Sequence, residues 1–120
     1  MASKILVIDD DPPILKGIEM VLKNVGYDTK TSLKGEETFD LVRSYKPDLI
    51  FLDIMLTGMD GREIAKELKA TEDTKNIPIV LISANEAMGK DYAQYGVETF
   101  IAKPFSSKQL ISIIEKYATT

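Results

Sequence analysis

Four apolar stretches in this chain each end in polar side chains that could take part in phosphate chemistry. Asp9 and Asp10 follow the first stretch, Asp53 follows the second, Ser83 the third and Lys103 the fourth. Mg²⁺ binds oxygen ligands, usually one or two carboxylates together with phosphate oxygens and water. A lysine and a hydroxyl group both suit phosphoryl oxygens. If the fold brings these residues together, they can form a site that makes an aspartyl phosphate.

The composition excludes several other kinds of site. The chain has no cysteine and no histidine, so it lacks a thiol nucleophile and the commonest ligands of zinc and copper. Its 19 acidic and 15 basic side chains give a net charge of −4, which argues against direct binding of nucleic acid. The amino terminus has too few apolar residues for a signal peptide or a membrane span. We expect one domain over residues 1–120 that is cytoplasmic and contacts no membrane.

The spacing of apolar residues predicts the elements that would carry these side chains. Unbroken runs at 5–8, 49–52, 79–82 and 99–102 are typical of strands buried on both faces. Residues 27–31 alternate only weakly and suit an edge strand. Because strands alternate with helical stretches five times, we predict a doubly wound parallel α/β sheet. The four buried strands would then end at one edge of the sheet, where such folds bind ligands.

Residue types at the predicted helix ends support these boundaries. Asp11 precedes two prolines and is the predicted N-cap of the first helix, which would end at the C-cap glycine Gly26. Pro47 ends the second helix, and Ser106 is the predicted N-cap of the last. Asp11 is therefore assigned to helix capping, which leaves Asp9 and Asp10 for metal binding.

With these residues in place, the chain resembles a response-regulator receiver domain of two-component signalling, similar to the single-domain chemotaxis regulators. The resemblance covers essentially the whole sequence. It is most specific in the acidic pair Asp9–Asp10, in the loop 53–61 and in Lys103–Pro104. It implies a flavodoxin-like sheet of five parallel strands in the order 2-1-3-4-5, with helices on both faces.

The resemblance also implies a magnesium site and a phosphorylated residue. Asp53 corresponds to the aspartate that receives the phosphoryl group. Mg²⁺ would be held by Asp9, Asp10 and Asp53, and the backbone carbonyl of Met55 would complete its ligands. The implied cofactor is therefore Mg²⁺ alone.

Two further positions complete the implied catalytic set of Asp53, Ser83 and Lys103. Ser83 matches the hydroxyl that contacts the phosphoryl group, and Lys103 matches the family's lysine, whose bond to Pro104 is expected to be cis. Phe100 matches the aromatic residue of the conformational switch. Such a domain catalyses its own phosphorylation and dephosphorylation but is not expected to turn over an external substrate.

The sequence departs from the family pattern in three places. Thr57 stands where a proline is usual, and we expect it to loosen the loop without abolishing the chemistry. Phe100 lacks the hydroxyl of a tyrosine, so a switch would work through burial of its ring. The segment 85–95 is somewhat shorter than usual and contains Gly89, which predicts a short or displaced fourth helix.

The partners follow from the same resemblance. The phosphoryl group would come from a phosphohistidine of a sensor histidine kinase or of a histidine phosphotransfer protein. A downstream protein would bind the surface formed by the fourth helix, the fifth strand and the fifth helix. The domain would be a monomer or a phosphorylation-dependent dimer.

Three other functions remain open from the residues alone. A flavin-binding module has the same fold, but three aspartates after the first strand would repel a flavin phosphate, and an absorbance spectrum would decide. An aspartyl-phosphate phosphatase also starts from a carboxylate after the first strand, but it uses a second aspartate as its acid and a threonine soon after it, whereas Pro12 and Pro13 follow here. Turnover of a phosphate ester with Mg²⁺ would reveal such an enzyme. A receiver-like scaffold or binding module would never be phosphorylated, although all the expected side chains are present.

Overall fold

The computed structural model describes residues 3–118 and shows one five-stranded sheet at its centre. Numbered within this sheet, the strands are β1 (Lys4–Ile8), β2 (Asp28–Ser32), β3 (Leu49–Asp53), β4 (Ile79–Ser83) and β5 (Thr99–Ala102). All neighbouring strands are parallel and their order is β2-β1-β3-β4-β5. The predicted fold class and strand order are confirmed.

The register of the sheet brings the carboxyl ends of the central strands together. Asp53 pairs with Ile82, so the end of β3 lies beside the end of β4. Ser83 pairs with Ala102, which places Lys103 directly after the same row of residues. The polar residues at these strand ends therefore lie along one edge, as the sequence predicted.

Within the described residues, five α-helices surround the sheet: α1 (Pro12–Val25), α2 (Thr38–Tyr45), α3 (Gly61–Ala70), α4 (Glu86–Gly89) and α5 (Ser107–Tyr117). One hydrophobic core joins residues of α1 and α5 to alternate strand residues such as Val7 and Phe51. A second core on the opposite face joins α2 and α3 to Leu6, Leu52 and Leu81. Strands buried on both faces are expected for a doubly wound sheet and explain the unbroken apolar runs.

The predicted caps are present at both long helices. The side chain of Asp11 accepts a hydrogen bond from Ile14 N, and Gly26 ends α1 with a φ of +101°. Ser106 caps α5 in a reciprocal capping box with Gln109. These contacts pair backbone groups that a helix end otherwise leaves unsatisfied.

Several local features differ from the sequence-based boundaries. The edge strand starts at Asp28, and a 3₁₀ turn over Gly35–Glu37 precedes α2. Two short antiparallel strands, Met55–Leu56 and Met59–Asp60, form a hairpin after β3. The fourth helix is short, as predicted, and a 3₁₀ turn over Tyr92–Tyr95 follows it. The 3₁₀ turns and the hairpin strands have two to four residues each, too few for hydrophobic periodicity to reveal. Between residues 3 and 118, no helix is long and apolar enough to cross a membrane.

Candidate functional site

Three carboxylates converge at the carboxyl edge of the sheet. Asp9 is fully buried, Asp53 is 4% exposed and Asp10 is half-buried. One oxygen from each of them lies within 4.8 Å of the others. The predicted metal-binding carboxylates are therefore close enough to share one small cation.

Backbone amides hold the two buried carboxylates in place. Asp9 Oδ1 accepts a hydrogen bond of 2.9 Å from Asp11 N. Asp53 Oδ1 accepts one of 3.2 Å from Met55 N. Each bond comes from an amide two residues later in the chain, so the loop after each strand fixes the carboxylate at its start. These contacts also offset part of the cost of burying the charges.

Lys103 brings the only ammonium group found near this cluster in the described part of the chain. Its Nζ lies 3.1 Å from Asp9 Oδ2 and donates a hydrogen bond of 3.3 Å to Asp53 Oδ2. The backbone N of Lys103 donates to Ser83 O at 2.8 Å, which fixes the start of the loop. The bond to Pro104 is cis, as the resemblance implied.

The electrostatics of the cluster show that it holds excess negative charge. Burial and repulsion from Asp9 raise the pKa of Asp53 from 3.8 to about 6, against the lowering effect of Lys103. Burial lowers the pKa of Lys103, but its contacts with Asp9 and Asp53 outweigh this, so the net pKa is raised. A carboxylate with a raised pKa and a lysine with a raised pKa are both expected where negative charge is incompletely neutralised.

The donor set fits a magnesium ion. Asp9 Oδ2 is buried and, among residues 3–118, has no partner in hydrogen-bond geometry, although Lys103 Nζ lies 3.1 Å away. Lys103 also bonds Asp53, so its ammonium group is shared between two buried carboxylates and leaves negative charge that a further cation would balance. Three carboxylates without histidine or cysteine match the preference of Mg²⁺ for oxygen ligands.

Ser83 lies at the end of β4, but its hydroxyl group is turned toward the following loop. The side chain is buried, and Oγ donates to Asn85 O and accepts a hydrogen bond of 3.0 Å from Asn85 N. In this structure the hydroxyl therefore belongs to the loop between β4 and α4. Contact with a phosphoryl group on Asp53 would require it to leave Asn85 O.

Gly61 is a site residue that sequence reasoning placed only in a turn. A Cβ atom at Gly61 would lie 2.0 Å from Asp53 O, and Gly61 N donates a hydrogen bond of 2.7 Å to Ile54 O. Only glycine allows the start of α3 to approach the end of β3 this closely. The glycine directly after the loop's Asp60 was the available signal, but its close contact depends on the fold.

Thr57, which stands where a proline is usual, makes a contact that the sequence did not predict. Its Oγ1 donates a hydrogen bond of 2.7 Å to Asp10 Oδ2. The loop after β3 is therefore tied to the loop after β1.

Phe100 packs against the short fourth helix. Its ring is half-buried and lies 5.9 Å, centroid to centroid, from the ring of Tyr92. A Cβ atom at Gly89 would lie 2.3 Å from Phe100 Cδ2. Gly89 therefore does more than weaken α4, because its missing side chain leaves the space that the ring occupies.

Comparisons with solved structures agree with this fold. The receiver domain of the sensor histidine kinase PA1611 from Pseudomonas aeruginosa PAO1, described with a magnesium ion in its active site cleft, is 26% identical, with a TM-score of 0.90 and full coverage of both chains. NtrX from Brucella abortus is 31% identical with a TM-score of 0.88, over 98% of this chain and 27% of that chain. The chemotaxis response regulator CheY4 of Vibrio cholerae is 22% identical with a TM-score of 0.89, covering 98% and 99% of the two chains, and supports the fold alone.

Fold and site together define a flavodoxin-like α/β domain with an acidic, lysine-containing cleft at the carboxyl edge of its sheet. A family model for the response regulator receiver domain matches residues 5–115, and the chain belongs to this family. Family and fold support a phosphoacceptor role in two-component signalling, in which receiver domains interact with histidine kinases or phosphotransfer proteins.

Proposed function

We propose that the domain accepts a phosphoryl group on Asp53 from a phosphohistidine of a partner protein. The observation that carries this proposal is the convergence of Asp9, Asp10 and Asp53 with Lys103 at one edge of the sheet. Asp9 and Asp53 share the ammonium group of Lys103, so the three carboxylates together leave negative charge that a further cation would balance. This arrangement suits phosphoryl transfer, in which the protein mainly positions groups and neutralises charge.

In the proposed reaction, a carboxylate oxygen of Asp53 attacks the phosphorus atom. The new P–O bond forms as the P–N bond to the partner's imidazole breaks. The electron pair of that bond returns to the imidazole, which leaves neutral when its other nitrogen carries the proton. In dephosphorylation, water attacks the same phosphorus and Asp53 leaves as a carboxylate.

Other residues support this exchange. Lys103, hydrogen-bonded to Asp53 Oδ2, would stay beside the phosphoryl oxygens as their charge develops. Ser83 would exchange its hydrogen bond to Asn85 O for one to a phosphoryl oxygen. Mg²⁺ would be held by Asp9, Asp10, Asp53 and the Met55 carbonyl, and it would neutralise charge on the transferring group when bound.

We also propose that the signal leaves through the surface formed by α4, β5 and α5. Movement of Ser83 toward the phosphoryl group would displace the loop that Asn85 begins, and with it α4. Phe100, packed on Gly89, would turn further inward behind that loop. A downstream protein would recognise the altered surface, with the domain as a monomer or as a phosphorylation-dependent dimer. The cytoplasmic location stays a prediction from the sequence.

Intact-mass spectrometry after treatment with acetyl phosphate and Mg²⁺ tests this function. The wild type should gain one phosphoryl group, and Asp53→Ala should gain none. Asp73→Ala, which removes an exposed carboxylate between α3 and β4, is the matched control and should be labelled like the wild type. Undiminished labelling of Asp53→Ala, or equal labelling in excess chelator, would contradict the assignment. An unlabelled wild type would favour the receiver-like scaffold instead.

A further inference from the structure

Among the three clustered carboxylates, that of Asp10 is held in a different way. Asp9 and Asp53 are buried, and each accepts a hydrogen bond from a backbone amide and lies beside Lys103. Asp10 is half-buried, and its only hydrogen bond or ion pair within residues 3–118 is the 2.7 Å bond from Thr57 Oγ1. Without this hydroxyl group, repulsion from the two buried carboxylates would favour turning Asp10 toward solvent.

The position of Thr57 follows from the hairpin after β3. Leu56 pairs with Met59, so Thr57 and Gly58 form a two-residue turn. Gly58 has a φ of +74° and Thr57 has no positive φ, the combination that a type II turn requires at its third and second residues. Proline suits the second position of such a turn, but it has no hydroxyl group to donate. Threonine makes this turn less rigid than proline would, but its hydroxyl group can donate a hydrogen bond to Asp10.

We propose that Thr57 is a positioning residue for magnesium, acting through Asp10. Its hydroxyl group binds Asp10 Oδ2 and keeps the carboxylate directed at Asp9 and Asp53 before the cation arrives. Asp10 Oδ1 and the remaining lone pair of Oδ2 stay available to the ion. Groups that orient a metal-binding carboxylate commonly change metal affinity about 10–100-fold when they are removed. This inference rests on the proposed magnesium-dependent function.

Isothermal titration of the full chain with MgCl₂ tests the inference. Thr57→Val removes the hydroxyl group and keeps the branched shape, and it should raise the dissociation constant for Mg²⁺ about tenfold. Thr57→Ser keeps the donor and should bind like the wild type. Thr71→Val is the matched control, because Thr71 Oγ1 donates only to the α3 carbonyl of Glu67 and should leave Mg²⁺ affinity unchanged.

A second pair of titrations separates positioning from a general effect on the fold. In an Asp10→Asn background, adding Thr57→Val should cause no further loss of Mg²⁺ affinity, since the residue acts through the Asp10 carboxylate. A full additional loss there would overturn the proposal, as would Thr57→Val binding Mg²⁺ as tightly as the wild type. Those two results would overturn the role of Thr57 alone, whereas a wild type that bound no Mg²⁺ would overturn the proposed magnesium-dependent function, so the two failures are distinguishable.

Discussion

The two sides of the cleft are built very differently. On the side of β1 and β3, carboxylates are buried, bonded to backbone amides and followed by α1, which runs for 14 residues between an aspartate cap and a glycine cap. On the side of β4 and β5, α4 has four residues and continues into a four-residue 3₁₀ turn. We infer that the rigid half positions the reacting groups and that the loosely packed half changes conformation when Asp53 is phosphorylated.

The burial of the helices supports this contrast. Helix α1 buries Leu15, Ile18 and Leu22 in the core beneath it. Of the residues in α4 and the following 3₁₀ turn, only Gly89 is buried, and it has no side chain to anchor the helix. Segments with few buried apolar contacts open at low free energy. The loop and helix after Ser83 are therefore the part of the domain that can change conformation at a small cost in free energy.

The same substitution on each side should have unequal effects on stability. In Gly61→Ala the new methyl group would meet the rigid backbone oxygen of Asp53 at 2.0 Å, so we expect the free energy of unfolding to fall by about 3 kcal/mol or more. In Gly89→Ala it would meet the ring of Phe100, which can turn aside, so the loss should be about 1 kcal/mol.

Urea unfolding followed by circular dichroism measures both losses. Gly17→Ala is the control, because the space around Gly17 in α1 is empty and alanine favours a helix, so this variant should be more stable by about 0.5–1 kcal/mol. Equal losses for Gly61→Ala and Gly89→Ala would show that both sides are equally rigid.

Repulsion among the clustered carboxylates should also affect how the free energy of unfolding depends on pH in the absence of metal. The folded protein holds a proton on Asp53 up to about pH 6, whereas the unfolded chain releases it near its ordinary pKa of 3.8. The folded state therefore binds more protons between these values, and stability falls as the pH rises through them. In chelator, Asp53→Asn should stabilise the protein by about 2–3 kcal/mol above pH 6 and by much less near pH 4.

Thermal melts of the two proteins across this pH range test the prediction. Asp60→Asn provides a control of opposite sign, because the hydrogen bond from Arg62 lowers the pKa of Asp60. The stabilisation that Asp60 provides is present above the ordinary pKa of an aspartate and is lost as the pH falls, so Asp60→Asn should cost stability at neutral pH. If Asp53→Asn raised the stability by the same amount from pH 4 to neutral pH, the raised pKa attributed to Asp53 would be wrong.

Much of the rigid half was predictable from the sequence. Buried strands appear as unbroken apolar runs, and Asp9, Asp10 and Asp53 follow two of those runs directly. Parallel topology then required these carboxylates to share an edge. The strand order itself came from the family resemblance, because periodicity does not determine which strands are neighbours.

The contacts missed by sequence reasoning join residues that are far apart in the chain. Thr57 and Asp10 are separated by 47 positions, and neither residue type indicates the other. Gly89 was interpreted as a helix-weakening residue, since only the fold shows the ring of Phe100 lying over it. The hairpin after β3 was missed because its strands have two residues each. Local sequence patterns indicate which residues are buried and where helices are capped. The missed features depend instead on contacts between residues that only the tertiary fold brings together.

The most direct test of the contrast between the halves is hydrogen exchange with and without beryllofluoride and Mg²⁺. Before activation, amides in 85–95 should exchange much faster than those in 14–22 of α1 and those of α5. After activation, the segment 85–95 should become more protected, because an ordering response is expected of a loosely held element. The amides of 14–22 should change little. If 85–95 were already as protected as 14–22 and stayed unchanged on activation, the division into a rigid and a responsive half would be wrong.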